Sequence, residues 1–291
     1  MQTAVFYSKH LMKRYITATV LSLGLAGPLA AQTTMRPPAT APGSPDIQLP
    51  VGRHHGSIYI SWGYNRDWYT KSDIRFRNNT TDDFDFTFHN AKAHDHPSMS
   101  DFWKISNLTV PQYDATVGYM FGDKHDLGIE INWNHMKYVV DDNQVMRASG
   151  QIRGFKFDRD TLVTPDFVHL QHTNGNNYLM VNLVKRQRLL MGRHLALSAI
   201  GKVGGGPMIT YTIASIFTSH SEGPFRYEGW VAGASAGLRF EIGRYFFLQS
   251  DMQGAFANYT NSRIGYDKQT LVTHHFGSAQ LTYLLGFNVP L

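Results

Sequence analysis

The last twelve residues, 280–291, alternate between large apolar and small or polar side chains. Leu281, Tyr283, Leu285, Phe287, Val289 and Leu291 share one parity; Gln280, Thr282, Gly286 and Asn288 share the other, with Leu284 the exception. Successive side chains of a strand point to opposite faces, so this segment has one greasy face and one quieter face. The same period recurs in 57–71, 113–121, 127–134, 178–184, 195–203, 232–241 and 246–256. Eight strands are predicted. Short connections near 122–126, 186–194 and 242–244 alternate with long ones over 72–111, 140–175, 207–227 and 261–275. Outer-membrane barrels have short periplasmic turns and long extracellular loops. The pattern therefore predicts an all-β, closed antiparallel transmembrane barrel with both termini periplasmic. A secreted soluble sandwich is the competing architecture.

The long first loop carries its own alternation. Asp73, Arg75 and Arg77 interleave with Ile74 and Phe76, and Asp85 and Thr87 with Phe84, Phe86 and Phe88. These segments read as a hairpin around Asn78-Asn79-Thr80-Thr81 that extends the wall above the bilayer. Counting both arms as spanning gives ten strands, but each is shorter than the roughly 9–11 residues a tilted spanning strand needs.

Ahead of the barrel (56–291), residues 1–31 read as a signal peptide. Lys9, Lys13 and Arg14 precede the apolar run Ile16 to Leu29, with Ala30-Ala31 as a small-residue cleavage site, and either Met1 or Met12 can serve as the start. Residues 32–55, with Pro37, Pro38, Pro42, Pro45 and Pro50, read as a periplasmic leader. Loss of Lys9, Lys13 and Arg14 leaves 24 Lys and Arg against 22 Asp and Glu, so the mature chain is nearly neutral and a nucleic-acid partner is not expected. Cysteine is absent, which excludes a lipoprotein anchor, disulfides and Cys-ligated metal.

An eight-stranded barrel is just wide enough for side chains to fill it. The predicted inward groups Asp67, Lys71, Asp114, Glu130, Lys202, Arg239, Glu241 and Asp251 carry both signs. They are expected to pair across the lumen as a structural network, which disfavours a diffusion pore. Nine histidines fall at or above the predicted extracellular rim: His89, His94, His96, His135, His169, His172, His220, His274 and His275. A candidate binding cluster there comprises Lys92, His94, Asp95, His96, His135, Lys137, His274 and His275. Imidazole and carboxylate suit zinc or copper, yet no catalytic spacing is present and adjacent strand histidines face opposite ways. Whether these groups hold a metal stays open. Ser219-His220-Ser221-Glu222 supplies nucleophile, base and orienting group in sequence, but on a loop tip closed by Gly223-Pro224. No cofactor is expected.

Several stretches resemble small outer-membrane β-barrel proteins of Bacteroidota-type envelopes that lack an established activity. They are 61–65 (Ser-Trp-Gly-Tyr-Asn), 71–74 (Lys-Ser-Asp-Ile), 85–88 (Asp-Phe-Thr-Phe), 92–95 (Lys-Ala-His-Asp), 110–113 (Val-Pro-Gln-Tyr), 133–140, 256–259 and 274–276. The resemblance implies the barrel and its membrane and no reaction. The expected role is structural or surface-binding, with outer-membrane lipid, lipopolysaccharide and the insertion machinery as partners. A lipid-modifying enzyme of the outer leaflet and a surface metal-binding protein are the alternatives.

Overall fold

The computed structural model describes residues 56–80, 82–96, 112–122, 125–217, 219–264 and 269–291. The predicted signal peptide and leader lie outside these residues, as does Thr81 of the predicted first-loop turn. Strands are numbered in chain order. The barrel ring consists of β1 (Ser57–Tyr69), β5 (Tyr113–Met120), β6 (Leu127–Val140), β9 (Val168–Met191), β10 (Leu195–Thr210), β13 (Arg226–Ile242), β14 (Phe246–Ile264) and β15 (Thr270–Pro290). They pair antiparallel in that order, and β1 closes on β15 from Ser57↔Pro290 to Tyr69↔Ser278. These are the eight predicted strands. Lys71 is a correction: β1 ends at Tyr69 and Lys71 lies exposed beyond it, outside the lumen. The fourth ring strand is also far longer than the 178–184 expected, because Asn and His on its extension defeat the apolar periodicity.

Period-two alternation puts the apolar set outside. Val117, Ile131, Leu183, Val203, Leu238 and Leu285 are exposed. Tyr119, Phe121, Phe240 and Phe246 lie toward the end bearing the chain termini, and Trp62, Trp133, Trp230 and Phe256 toward the far end. An apolar band between two aromatic girdles is the lipid-facing surface of a transmembrane barrel. The 24 residues of β9 rise about 55–65 Å at the usual strand tilt, against a band of about 25 Å. The barrel therefore projects well past the bilayer at the end away from its termini.

The far end is built from the remaining strands. β2 (Ser72–Asn78) joins the upper part of β15 through Leu271↔Arg77 to His274↔Ile74, and β3 (Phe84–Ala91) pairs with β2. The first loop thus holds the predicted hairpin, and both arms stand above the ring. β7 (Gln144–Ile152) pairs with β3 and with β8 (Phe155–Val163), while β4 (Ala93–His94) pairs with β6. β11 (Ile213–Ile216) and β12 (Ser219–Glu222) form a hairpin on β9. The β7–β8 hairpin lies within the long connection expected over 140–175. Its turn is Arg153-Gly154, both at positive φ (49° and 79°), the two-residue turn that matches strand twist.

Inward glycines make room for rings. A Cβ on Gly118 would overlap the Tyr59 ring, and one on Gly286 the Phe247 ring. Gly118→Ala is expected to cost about 1–3 kcal/mol by overpacking, read as a lower midpoint of urea unfolding in detergent.

Candidate functional site at the lidded end

The lumen is filled from the terminus end upward. Arg186 bridges Asp126 (2.9 Å) and Glu241 (3.2 Å). Above it, the fully buried Arg239 donates to Gln249 (2.6 Å) and lies over the Tyr59 and Phe247 rings. At mid-lumen Lys202 Nζ sits 2.9 Å from Glu130 Oε1 and 3.1 Å from Asp251 Oδ2. Asp114 accepts from Asn132 (2.8 Å) and Thr116 (3.2 Å); Asp67 accepts from Gln112 (2.7 Å) and Gln280 (3.0 Å). Apart from Lys71, the residues expected inside the lumen are found there. Asp67 and Asp114 meet amides and a hydroxyl rather than cations, so the network is part ionic and part hydrogen-bonded.

A buried aromatic and imidazole layer follows. Tyr138 stacks on Phe276 (4.4 Å), and Tyr259 stacks on both His172 (4.5 Å) and His274 (4.3 Å). Thr212 Oγ1 donates to Glu228 Oε2 (2.8 Å), so it accepts from His172 Nδ1 (2.8 Å). His172 Nε2 lies 3.3 Å from His274 Nε2. Ser262 also donates to Glu228 (2.8 Å), and Ser72 Oγ lies 3.4 Å from His274 Nδ1 while donating to the His275 carbonyl (2.9 Å). His172 and His274 are shut off from water, so the relay holds the top of the lumen together. A box of phenylalanines closes it: Phe76, Phe84, Phe86 and Phe88 from β2 and β3, meeting Phe157, Phe167 and Phe217.

On the outside of this lid, histidines pair with carboxylates. His94 Nδ1 meets Asp141 (2.6 Å), His169 Nδ1 meets Asp142 (2.8 Å), and His89 lies 3.4 Å from Asp73 and 2.8 Å from Ser149. Cross-strand register sets Ser215 between His169 and His220. Ser215 Oγ is 2.9 Å from His220 Nδ1, and His220 Nε2 is 3.3 Å from Glu222. The serine meeting His220 is thus Ser215, not the neighbours Ser219 and Ser221, which occupy the other face of the hairpin. The order nucleophile, base and acid resembles a hydrolytic triad. Ser215, however, sits on a strand paired on both edges, so its backbone offers no free N–H toward an oxyanion.

The eight residues of the predicted rim cluster do not converge. His274 is inside the lumen, whereas His275 is exposed on the outer wall beside Phe256 (5.7 Å). His135 stacks on Tyr113 (4.8 Å) and meets Asn177 (2.7 Å). Asp95 is held by Arg66 (2.9 Å). Lys137 is buried through much of its side chain; Lys92 and His96 are exposed. Among the described residues, no three metal-ligating side chains are grouped as a metal site. A recess of about 460 Å³ lies on the lipid-facing wall between Leu238, Leu248, Tyr283 and Leu285, away from this polar chemistry.

The outer face of the β2–β3–β7–β8 sheet carries two forked ion pairs. Arg75 grips Asp85 (2.7 and 2.6 Å), and Arg147 grips Asp158 (2.7 Å twice). The Arg75 hydrogen bonds hold the Asp85 carboxyl below the usual carboxylate range. A lowered folded pKa contributes stability above the unfolded value of about 4. That contribution is lost as pH falls through the folded value, and for so exposed a pair it is about 1 kcal/mol or less. A carboxyl NMR titration should place the Asp85 midpoint below that of a free aspartate, and Arg75→Gln should raise it.

No family model and no curated protein matches the chain. Among solved structures it is similar to the outer membrane protein OprG from Pseudomonas aeruginosa, at 10% identity and a TM-score of 0.38, over 82% of this chain and 99% of that one. It is also similar to Ail, the attachment invasion locus protein of Yersinia pestis, solved with the heparin analogue sucrose octasulfate (9%, 0.31, 81% and 99%). The outer membrane protease OmpT from Escherichia coli is a third (9%, 0.24, 82% and 97%). The closed ring, apolar band and aromatic girdles define the class: an eight-stranded β-barrel of the outer-membrane type.

Proposed function

We propose that this chain is a non-enzymatic outer-membrane surface protein. Its barrel is an anchor with both termini in the periplasm, and its lidded end faces outward in a structural or binding role. Outer-membrane lipid, lipopolysaccharide and the insertion machinery are its inferred surroundings, and we group it with the small Bacteroidota-type barrels on the segments quoted above. The observation that carries this reading is the doubly closed lumen: the Lys202–Glu130–Asp251 lattice at mid-height and the phenylalanine box above the His172–His274 pair. Such a barrel offers no route for solutes. The outward orientation is supported by the long connections, which share the end opposite the termini.

Because the chain lacks cysteine, single-cysteine variants report topology directly. In intact cells, Gln151→Cys should react with an impermeant maleimide, and Arg244→Cys should react only after lysis. The reverse pattern would overturn the orientation. Purified protein in planar bilayers should give no stepwise conductance; stable steps would sink the anchor reading. Ser215→Ala should leave lipid A unchanged by mass spectrometry, and an altered acyl pattern would favour the enzyme instead.

A further inference from the structure

The four-stranded extension ends in β8, which pairs with β7 on one side only among the described residues. The Arg153-Gly154 turn sets the phase of its hydrogen bonds. In a two-residue hairpin the pair flanking the turn is hydrogen-bonded, here Ile152↔Phe155, and bonding then alternates. Phe155, Phe157, Arg159, Thr161 and Val163 therefore bond to β7. Lys156, Asp158, Asp160 and Leu162 direct their N–H and C=O groups to the open edge. A free edge of this kind is a template for another strand unless its side chains forbid pairing.

Its side chains favour one partner. Two antiparallel copies of β8 centred on Asp158 place Lys156 of each opposite Asp160 of the other. The same register sets Phe157 opposite Arg159 and Leu162 opposite Gly154. The groups that would bond, at 156, 158 and 160, are those left open. The two central Asp158 carboxylates are each already gripped by their own Arg147. Shifting the centre to Arg159 keeps the same bonding residues but sets Asp158 against Asp160 and Lys156 against Leu162, so like-charge opposition disfavours that register. Phe155 is 81% and Leu162 53% exposed, which leaves apolar surface at both ends of the strand to be covered.

We propose that β8 is a homotypic pairing strand whose occupant is the β8 of a second copy of this chain. Antiparallel strands in one sheet are related by a two-fold axis perpendicular to that sheet. The extension continues the barrel wall above β15, with its phenylalanine face turned toward the lumen, so the axis lies across the barrel rather than along it. The partner is then inverted, and the pairing joins copies on two apposed membranes. This last step rests on the outward orientation of the lid; the strand pairing itself does not.

Two measurements separate the parts. In detergent, Lys156→Cys and Asp160→Cys proteins should form a disulfide dimer when mixed under mild oxidation, and neither should do so efficiently alone. Opposed residues of a bonded pair lie about 5.5 Å apart, within disulfide reach. In phosphatidylcholine proteoliposomes, Lys156→Asp and Asp160→Lys should each weaken vesicle clustering about tenfold or more, since both charge contacts become repulsive. The double reversal should restore it. All three are exposed-surface changes, and heat-modifiable gel migration checks that the barrel is intact. Cross-linking without clustering would overturn the inverted geometry and keep the strand pairing. Absence of the mixed dimer, or failure of the double reversal to rescue, would overturn the proposal and mark the edge charges as guards against pairing.

Discussion

Replacing Lys202 with methionine is expected to destabilise the barrel by about 3–5 kcal/mol, the largest effect of any single lumen substitution. Lys202 Nζ is the cation between Glu130 and Asp251, at 2.9 and 3.1 Å. Glu130 keeps its bonds from Tyr59 (2.7 Å) and Asn182 (3.0 Å) after the change, and Asp251 keeps Gln249 (2.6 Å). What is lost is the charge that makes two buried carboxylates tolerable in a place closed to water. Reversible urea unfolding in detergent, followed by tryptophan fluorescence, measures the difference. The triple variant Lys202→Met, Glu130→Gln, Asp251→Asn should recover most of the loss, because removing all the charges together leaves no uncompensated ion. A loss under about 1 kcal/mol for Lys202→Met alone would mean that the carboxylates are solvated and the lumen is not closed at this level.

The second large effect is local. Phe86 packs against Phe76 (5.2 Å), Phe88 (5.3 Å), Phe84 (5.5 Å), Phe167 (6.0 Å) and Phe157 (6.3 Å). Phe86→Ala removes the ring common to these contacts and should cost about 3–5 kcal/mol. The β2–β3–β7–β8 sheet meets the ring along one short ladder, Leu271–His274 with Ile74–Arg77, while β4 on β6 and β11 on β9 make separate short ladders at the same end. Its opening therefore need not disturb the ring. Hydrogen exchange should show amides of β2, β3 and β7 losing protection by about a hundredfold or more, with β13 and β14 unchanged. Equal loss throughout would show that lid and ring unfold as one unit.

Strand alternation carried the ring because lipid outside and packed side chains inside impose opposite demands on alternate positions. That demand is continuous along Leu127–Trp133 and Leu281–Leu291, and there the sequence is plain. It weakens where a strand leaves the bilayer. β9 above Tyr178 reads His-Leu-Gln-His-Thr-Asn-Gly-Asn-Asn, because one face meets water and the other mixes Leu170, in the apolar cluster, with His172 beside Glu228 and His274. The β7–β8 hairpin lacks a legible alternation for a related reason. Its outer face is charged and its inner face mixes Phe157 with Arg159 and Thr161, so only the Arg153-Gly154 turn marked it.

The histidines illustrate the other limit. Adjacent strand residues point to opposite faces, so His274 and His275 could not share a ligand. The pairs that formed are long-range: His172 with His274, His94 with Asp141, His169 with Asp142, and Ser215 with His220. The sequence by itself determined the architecture, the strand number and the parity of nearly every lumen charge, since each follows from a local period of two. Which charges are paired, how the lumen is sealed, and which edge is left open were decided only by tertiary structure. Those properties depend on register between strands that lie up to some two hundred residues apart, and no local pattern encodes that register.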